Sequence, residues 1–276
     1  MEPKVHRRVQ RYGWDKAVED YDQFWVPRLR SCSEHCLDLL DLHPGERILD
    51  VATGTGIAAF MAAGLVGAAG EVVASDISER MVEAVRADAG RRGVTNMRFE
   101  RVDAEDIAFP DASFDAVICV LGLMYPADPQ QAINQIFRVL KPGGRAAVCV
   151  WGRRDRCGWN AVFPITDARV NSDVCPLFFS LGAPGALEFA SQQAGFTEMQ
   201  EERVELTLDF ENARAVCAAI FAGGPVALAY SKFTPEIRDE VDTEFLDTVA
   251  PYRNGEAYDI PGEFVFMLAR KSRRTA

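Results

Sequence analysis

The stretch from Ile48 to Gly56, with the sequence ILDVATGTG, constrains the fold of this chain more than any other. A short apolar run that contains an acid leads into two glycines, and an alanine-rich segment, 57–65, follows. This order predicts a strand, a tight turn and the start of a helix. Gly54 and Gly56 leave the backbone uncrowded, so that a ligand can approach the turn and face the helix N-terminus.

Strand and helix signals then alternate as far as residue 151. Predicted strands cover 71–75, 96–102, 114–121 and 145–151, and predicted helices cover 78–92 and 128–140. This alternation predicts a doubly wound α/β sheet whose strands end along one edge. That edge would collect Asp50, Asp76, Asp103 and Leu121. Ligands bind at the carboxyl ends of the strands in such sheets, so the sequence predicts the binding site there.

The segments on either side of this core are predicted to be helical and aromatic. The first forty residues are predicted to form two helices, on which Trp14, Tyr21 and Trp25 recur at helical spacing. This aromatic stripe predicts packing against the sheet. The aromatic residues of the later segment are Trp159, Phe163, Phe178, Phe179, Phe221 and Phe233. We predict an N-terminal helical segment (1–44), an α/β core (45–151), and a region (152–276) that combines a helical insertion with the last strands.

Composition and charge argue against several classes of function. The formal net charge of −11 would repel phosphate, so we expect no nucleic-acid partner. No apolar run is long enough to span a bilayer and the N-terminus lacks a signal-peptide core, so a cytoplasmic location is expected. The seven cysteines form no CxxC pair, which predicts free thiols and no metal site.

The glycine motif alone is compatible with another class of enzyme. Gly54-x-Gly56-x-x-Ala59, with Asp76 twenty residues beyond Gly56, satisfies the dinucleotide-binding fingerprint. Asp50 opposes this interpretation, because a carboxylate at the strand end repels a pyrophosphate and suits a cationic group. A nicotinamide-dependent oxidoreductase therefore stays an alternative.

Four blocks occur in the order and spacing of one enzyme family. They are LDVATGTG (49–56), ASDIS (74–78), RVDAEDIAFPDASFDAVIC (101–119) and RVLKPGGRAAVCVW (138–151). Together they closely resemble motifs I, II, III–IV and V of the UbiE/COQ5-like, small-molecule branch of the class I S-adenosylmethionine (SAM) methyltransferases. This resemblance covers about 45–151, the core expected to bind SAM. It implies a mostly parallel, seven-stranded sheet and an N-terminal helical lid (1–44) that closes over the cofactor. Tyr21 and Trp25 would then be lid residues, with packing on the sheet as the alternative.

The resemblance also assigns cofactor contacts. The residues expected to bind SAM are Tyr21, Trp25, Asp50, Ala52, Gly54, Gly56, Asp76, Ile77, Met81, Asp103, Ala104, Cys119, Val120 and Leu121. Asp50 would favour the positive charge of the methionine portion, and Asp76 would accept hydrogen bonds from both ribose hydroxyls. Asp103 would accept from the adenine amino group. Glu105 and Asp106 are interpreted as turn or helix-cap residues and are not counted among the cofactor contacts.

The chemistry that the resemblance implies is an in-line displacement at the sulfonium methyl group, aided by alignment and exclusion of water. Catalytic residues stay unassigned, and Tyr125 and His6 are the candidates for a general base. We expect a small, largely apolar or aromatic acceptor that is methylated at O, N or C without a metal ion. One of three arginines, Arg153, Arg154 or Arg156, could hold an acidic group of the acceptor.

The sequence leaves three questions open. It does not identify the acceptor or the acceptor atom. It does not decide whether the chain acts alone or as a homodimer. A non-catalytic SAM-binding protein on the same fold is a further alternative, because a fold does not fix a function.

Overall fold

The computed structural model describes residues 2–170 and 175–273. The N-terminal region consists of helix α1 (Pro3–Asp20), a π-helical turn (Tyr21–Trp25) and helix α2 (Val26–Leu40). The two helices predicted here are present, but the π turn joins them without a break. Pro27 lies in the first turn of α2, where the missing N–H is tolerated. Helix α2 ends where Asp41 takes a left-handed φ of 48°.

One mixed sheet forms the centre of the molecule. Its strands are β1 (Arg47–Val51), β2 (Glu71–Asp76), β3 (Met97–Arg101), β4 (Phe114–Val120), β5 (Leu140–Trp151), β6 (Glu198–Phe210), β7 (Arg253–Asn254) and β8 (Ala257–Arg270). Their order is β3-β2-β1-β4-β5-β8-β6, and β7 pairs with β8. The first five strands pair in parallel, whereas β8 is antiparallel to β5 and β6. The predicted fold is confirmed, with the two-residue β7 as an addition to the seven strands.

Helices connect and cover the strands. They are α3 (Ile57–Val66), α4 (Glu79–Arg92), α5 (Pro129–Val139), α6 (Val162–Val170), α7 (Ala186–Ala194), α8 (Ala213–Cys217), α9 (Ala227–Tyr230) and α10 (Pro235–Val249). Ser78 caps α4 by accepting a hydrogen bond from the Met81 N–H at 3.1 Å. Asp128 caps α5 in the same way through the Gln131 N–H at 3.0 Å. Both helix starts agree with the prediction.

Strand β5 begins earlier than the sequence suggests. The KPGG segment at 141–144 predicts a stop before the strand, yet β5 begins at Leu140. Phe114 pairs with Leu140 and Ala116 pairs with Arg145, so the register shifts between these pairs. Gly143 accommodates the irregularity with a φ of 81°. The extra residues are thus absorbed as a bulge.

The region after β5 combines helices with the two antiparallel strands. The sequence predicts helices at 186–194 and 235–249, and α7 and α10 have these bounds, whereas α6 was not predicted. It also predicts a last strand at 262–270, and β8 begins earlier, at Ala257. No helix in the described ranges has the length and apolar character needed to cross a membrane.

Candidate active site

A deep cavity lies at the edge of the sheet where the parallel strands end. Its volume is about 960 Å³, its open mouth included. The wall contains several residues from the ends of β2, β3 and β4, together with residues from the N-terminal helix and from the segment after β5. These residues are Arg7, Gln10, Trp14, Tyr21, Trp25, Leu29, Ala52, Gly54, Asp76, Ile77, Met81, Val102, Asp103, Ala104, Glu105, Val120, Leu121, Gly122, Tyr125, Pro126, Trp151, Trp159, Phe178, Gly223, Gly224 and Pro225. The cavity therefore contains most of the predicted cofactor residues.

The two glycines of the turn after β1 have different roles. Gly54 has a φ of +57°, and a β-carbon there would lie 3.2 Å from Cε1 of Tyr21. This glycine keeps the wall open beneath the tyrosine ring. Gly56 is absent from the wall, and its β-carbon would lie 2.3 Å from Cγ2 of Val85. Gly56 therefore allows α3 to pack on α4, and the cofactor contact expected for it from the sequence stays a prediction.

Asp76 is a nearly buried carboxylate in the cavity wall. Its Oδ2 accepts a hydrogen bond from the Gly54 N–H at 3.0 Å, and its Oδ1 accepts from the Ser78 N–H at 2.9 Å. Each carboxylate oxygen keeps further acceptor capacity after one such bond. Burial raises the pKa of Asp76 to about 6, against the lowering effect of these N–H groups. The carboxylate is thus fixed in position and still able to accept from a ligand.

Asp50 lies beneath the cavity and does not form part of its wall. It is 1% exposed, and its Oδ2 accepts a hydrogen bond from the Thr53 hydroxyl at 2.7 Å. The backbone N–H of Ala59, in the first turn of α3, also bonds to this carboxylate. Burial raises the pKa of Asp50 to about 7. Asp50 therefore caps α3, and any effect on a ligand is exerted by its charge through the turn.

Asp103 is paired with the N-terminal helix. The Nε of Arg7 lies 3.1 Å from Asp103 Oδ2 and also donates a hydrogen bond to Glu105. Burial raises the pKa of Asp103, and the neighbouring Arg7 lowers it. Glu105 is 4% exposed and also accepts from the Asp128 N–H. Glu105 lies in the turn that the Asp103–Asp106 bridge closes, as predicted, and it is in addition a wall residue with an ion pair.

The ends of β1 and β4 approach each other closely on the floor of the cavity. Ala52 and Leu121 have positive φ values of 57° and 59°, a conformation that non-glycine residues rarely adopt. Gly122 permits this approach, because a β-carbon there would lie 2.5 Å from Ala52 Cβ and 2.8 Å from Cys119 Sγ. Val120 and Leu121 belong to the wall. Cys119 is fully buried behind the wall, and its expected place beside the cofactor stays a prediction.

The aromatic residues of the N-terminal segment line the cavity, and one of them also packs in the core. Their closing over a ligand stays a prediction. The rings of Trp14 and Tyr21 pack edge to face at 5.6 Å, and both line the cavity. Trp25 also lines it, although the residue is 4% exposed and packs against Trp151 at 5.9 Å. Its Nε1–H donates a hydrogen bond to the Ala219 carbonyl at 2.7 Å. Trp25 is therefore a core residue and a wall residue at once.

A second group of aromatic residues lines the cavity on the side of β4 and β5. Trp151 packs on Trp159 at 4.8 Å, and Trp159 packs on Phe178 at 5.6 Å. Phe178 in turn contacts the ring of Tyr125 at 5.6 Å. The other aromatic residues that the sequence singled out are not part of the wall. They are Phe163, Phe179, Phe221 and Phe233, which pack in or against the core.

The remaining candidates lie outside the cavity. His6 places Nε2 2.7 Å from the backbone oxygen of Tyr125, a contact that ties α1 to the loop after β4. Arg153, Arg154 and Arg156 are exposed, and Arg153 forms an ion pair with Asp155 at 2.6 Å. Because none of these arginines reaches the wall, the structure does not place them where they could hold an acidic group of an acceptor. The described residues also contain no group of metal-ligating side chains that could hold an ion.

Comparisons with known proteins agree with this geometry. A family model for a methyltransferase domain matches residues 48–144. Nocamycin O-methyltransferase from Saccharothrix syringae is 30% identical over 256 residues, which covers 88% of this chain and 91% of that protein. The ubiquinone/menaquinone biosynthesis C-methyltransferase UbiE from Ectopseudomonas mendocina is 41% identical over 113 residues. This match covers 41% of this chain and 44% of the relative, so the chain spans less than half of that protein.

Solved structures show the same fold. Phosphoethanolamine N-methyltransferase 2 from Haemonchus contortus, in complex with S-adenosyl-L-methionine, superposes with a TM-score of 0.63 at 17% identity. The match covers 94% of this chain and 57% of that chain. At this identity the similarity concerns the fold alone. The long match to a curated methyltransferase carries the family assignment: the chain belongs to the class I SAM-dependent methyltransferases and is UbiE-like.

Proposed function

We propose that this chain binds SAM and transfers a methyl group to a small, largely apolar or aromatic metabolite. The proposal rests on one cavity that is lined both by the acids at the ends of β2 and β3, Asp76 and Asp103, and by aromatic residues in and after β5. Strands β2 and β5 are three positions apart in the sheet. At a spacing of about 4.8 Å per strand, this corresponds to about 14 Å. A methyl donor and an acceptor can therefore lie next to each other.

The β2 side of the cavity fits the chemistry of SAM. Asp76 keeps acceptor capacity for ribose hydroxyl groups, and Ile77 and Met81 offer an apolar surface next to it. Gly54 leaves space close to the backbone because a side chain there would meet Tyr21. When bound, SAM supplies an electrophilic methyl group on a positively charged sulfur atom.

The charges of the wall also favour a cationic ligand. Among the described residues of the wall there are three acids, Asp76, Asp103 and Glu105, and one guanidinium, that of Arg7. Asp50 adds a buried carboxyl group beneath the turn. In a cavity with low-dielectric walls, such an excess of acids attracts positive charge. These charges favour SAM over a nicotinamide dinucleotide, whose pyrophosphate the same acids would repel.

For the transfer step, we propose that the protein acts by alignment and by exclusion of water. Trp14 and Tyr21 line the cavity from the N-terminal segment, and Trp151 and Trp159 line it from β5 and the segment after β5. Holding the reacting groups in contact in a dry cavity supplies much of the rate enhancement. On this view residues 1–44 act as a lid, 45–151 as the SAM-binding core, and the insertion in 152–276 as the cap over the acceptor. No metal ion is required.

Two measurements test the proposal. Calorimetry should show binding of SAM and S-adenosylhomocysteine, and no binding of NADH. A methyl-transfer assay on phenols, quinones and amines should then give turnover that EDTA does not reduce. Tight NADH binding without any response to SAM would refute the assignment. SAM binding without turnover on any acceptor would support the non-catalytic alternative.

A further inference from the structure

We propose that Gln10 and Tyr125 form a hydrogen-bonding pair that selects a neutral acceptor with a hydroxyl or carbonyl oxygen on an apolar ring. Both side chains line the cavity. Gln10 comes from α1 and Tyr125 from the loop after β4, so that the pair is complete only when the N-terminal helix is in place. This inference rests on the proposed function, because it specifies the acceptor for the same site.

The hydroxyl group of Tyr125 is available to a ligand. Its ring is fixed edge to face between Trp14, at 5.0 Å, and Phe178, at 5.6 Å. Within the described part of the chain this hydroxyl has no hydrogen-bond partner, and it is not among the unpaired polar atoms that are sealed from solvent. Burial raises the pKa of Tyr125 well above its usual value. The group therefore stays protonated at neutral pH and can donate to an oxygen atom.

Gln10 supplies the complementary group. The residue is 5% exposed, and its Nε2 donates to the Sγ of Cys175 at 3.5 Å. Because a thiol is a weak acceptor, this contact orients the amide and leaves its oxygen for a stronger donor. Gln10 lies one helical turn before Trp14 on α1, and the ring of Trp14 contacts that of Tyr125 at 5.0 Å. Gln10 and Tyr125 therefore line the same part of the cavity.

The charges of the wall exclude an acidic acceptor. Arg7 is the single cationic side chain among the described wall residues, and it already forms ion pairs with Asp103 and Glu105. A carboxylate brought into the cavity would meet these acids without a free cation. A neutral hydroxyl group can accept from Tyr125 and donate to Gln10, and a carbonyl oxygen can accept from Tyr125. Unpaired polar groups in such a site discriminate strongly against a ligand that lacks the matching atom.

Three naphthalene probes of matched shape test the pair. They are 2-naphthol, 2-methylnaphthalene and 2-naphthoate, titrated against the full chain with ligand-observed NMR. We expect 2-naphthol to bind at least fivefold more tightly than either of the others. Tyr125→Phe and Gln10→Leu should each weaken 2-naphthol binding about three- to tenfold, the net value of one hydrogen bond, and leave 2-methylnaphthalene binding unchanged. The matched control is Tyr12→Phe, since Tyr12 is exposed on the same helix.

The outcomes separate this inference from the proposed function. If 2-naphthol binds no better than 2-methylnaphthalene, or if 2-naphthoate binds best, the selection by Gln10 and Tyr125 is wrong. Equal weakening of 2-naphthol and 2-methylnaphthalene in the variants would also overturn it, because it would indicate a loss of packing. S-adenosylhomocysteine binding is measured in the same samples. Failure of the chain to bind this compound refutes the proposed function and leaves the probe selectivity as a separate result.

Discussion

Replacing Asp50 with asparagine should make the stability of this protein less dependent on pH. Burial raises the pKa of Asp50 from 3.8 to about 7 in the folded chain. In the unfolded chain the group titrates near its ordinary value. Between these two values the folded state binds a proton that the unfolded state has released, so the free energy of unfolding falls as pH rises. The loss begins near pH 4 and is complete above about pH 7. Asparagine does not titrate and removes this loss.

The magnitude follows from the size of the shift. Each pH unit in this window lowers the free energy of unfolding by about 1.4 kcal/mol. Part of the loss is already present at pH 5, so the further loss between pH 5 and pH 8 is about 2.5 kcal/mol. Asp50 is 1% exposed, and little of this value is screened by solvent. Asparagine can also accept the hydrogen bond from Thr53, and any change in the capping of α3 is a constant that cancels between the two pH values.

Urea unfolding of the ligand-free protein at pH 5 and pH 8 measures the difference. The stability of the Asp50→Asn variant relative to the unsubstituted protein should be about 2.5 kcal/mol higher at pH 8 than at pH 5. Asp38→Asn is the matched control, because Asp38 is exposed on α2. The reasoning is refuted if the relative stability of Asp50→Asn is the same at both pH values. It is also refuted if the exposed control changes as much.

Further predictions concern the cofactor and the glycine turn. Asp76→Ala should weaken SAM binding about ten- to a hundredfold in calorimetry, because one carboxylate would serve both ribose hydroxyls. Arg7→Ala should speed S-adenosylhomocysteine dissociation about threefold to tenfold in stopped-flow measurements, because Arg7 holds α1 to the wall acids. Arg8→Ala is the control and should leave this rate unchanged, because Arg8 is exposed. Gly56→Ala should lower the free energy of unfolding by about 2 kcal/mol or more, whereas Gly64→Ala in α3 should be neutral or stabilising. Equal rates for the two arginine variants, or equal stabilities for the two glycine variants, would contradict the structure.

The sheet was predictable because its signals are local. The apolar run that became β4 and the caps at Ser78 and Asp128 each depend on neighbours within a few residues. The placement of Asp76 and Asp103 in one wall followed from the rule that parallel strands end at the same edge. The early start of β5 did not follow, because a KPGG segment normally ends an element and only its pairing with β4 keeps it in the sheet.

Several details of the site were not predictable, because they depend on residues that are distant in the sequence. Gly56 matches a cofactor motif, but the position of Val85 on α4 also requires a residue without a side chain there. Glu105 has the sequence context of a turn residue, and its partner Arg7 is 98 positions away. Gln10 is a polar residue on a helix, without any local sign that it enters a cavity. An acid or amide becomes a wall residue through the packing of α1, which no short pattern encodes.

We expect the N-terminal segment and the part of the wall around Gly223 to move together, because they are in contact. Trp25 lies in the π turn after α1, and its indole N–H donates to the carbonyl of Ala219, 194 positions further along the chain. Ala219 lies in a second π turn, Ala218–Ala222, which leads into the wall residues Gly223 and Gly224. A β-carbon on Gly223 would come within 3.0 Å of the backbone at Asp20 and the π turn, so the two segments are in direct contact. Moving α1 away from the mouth would break a buried hydrogen bond and separate these packed surfaces. On the proposed assignment, the segment that covers the cofactor therefore cannot open without disturbing the wall residues Gly223 and Gly224.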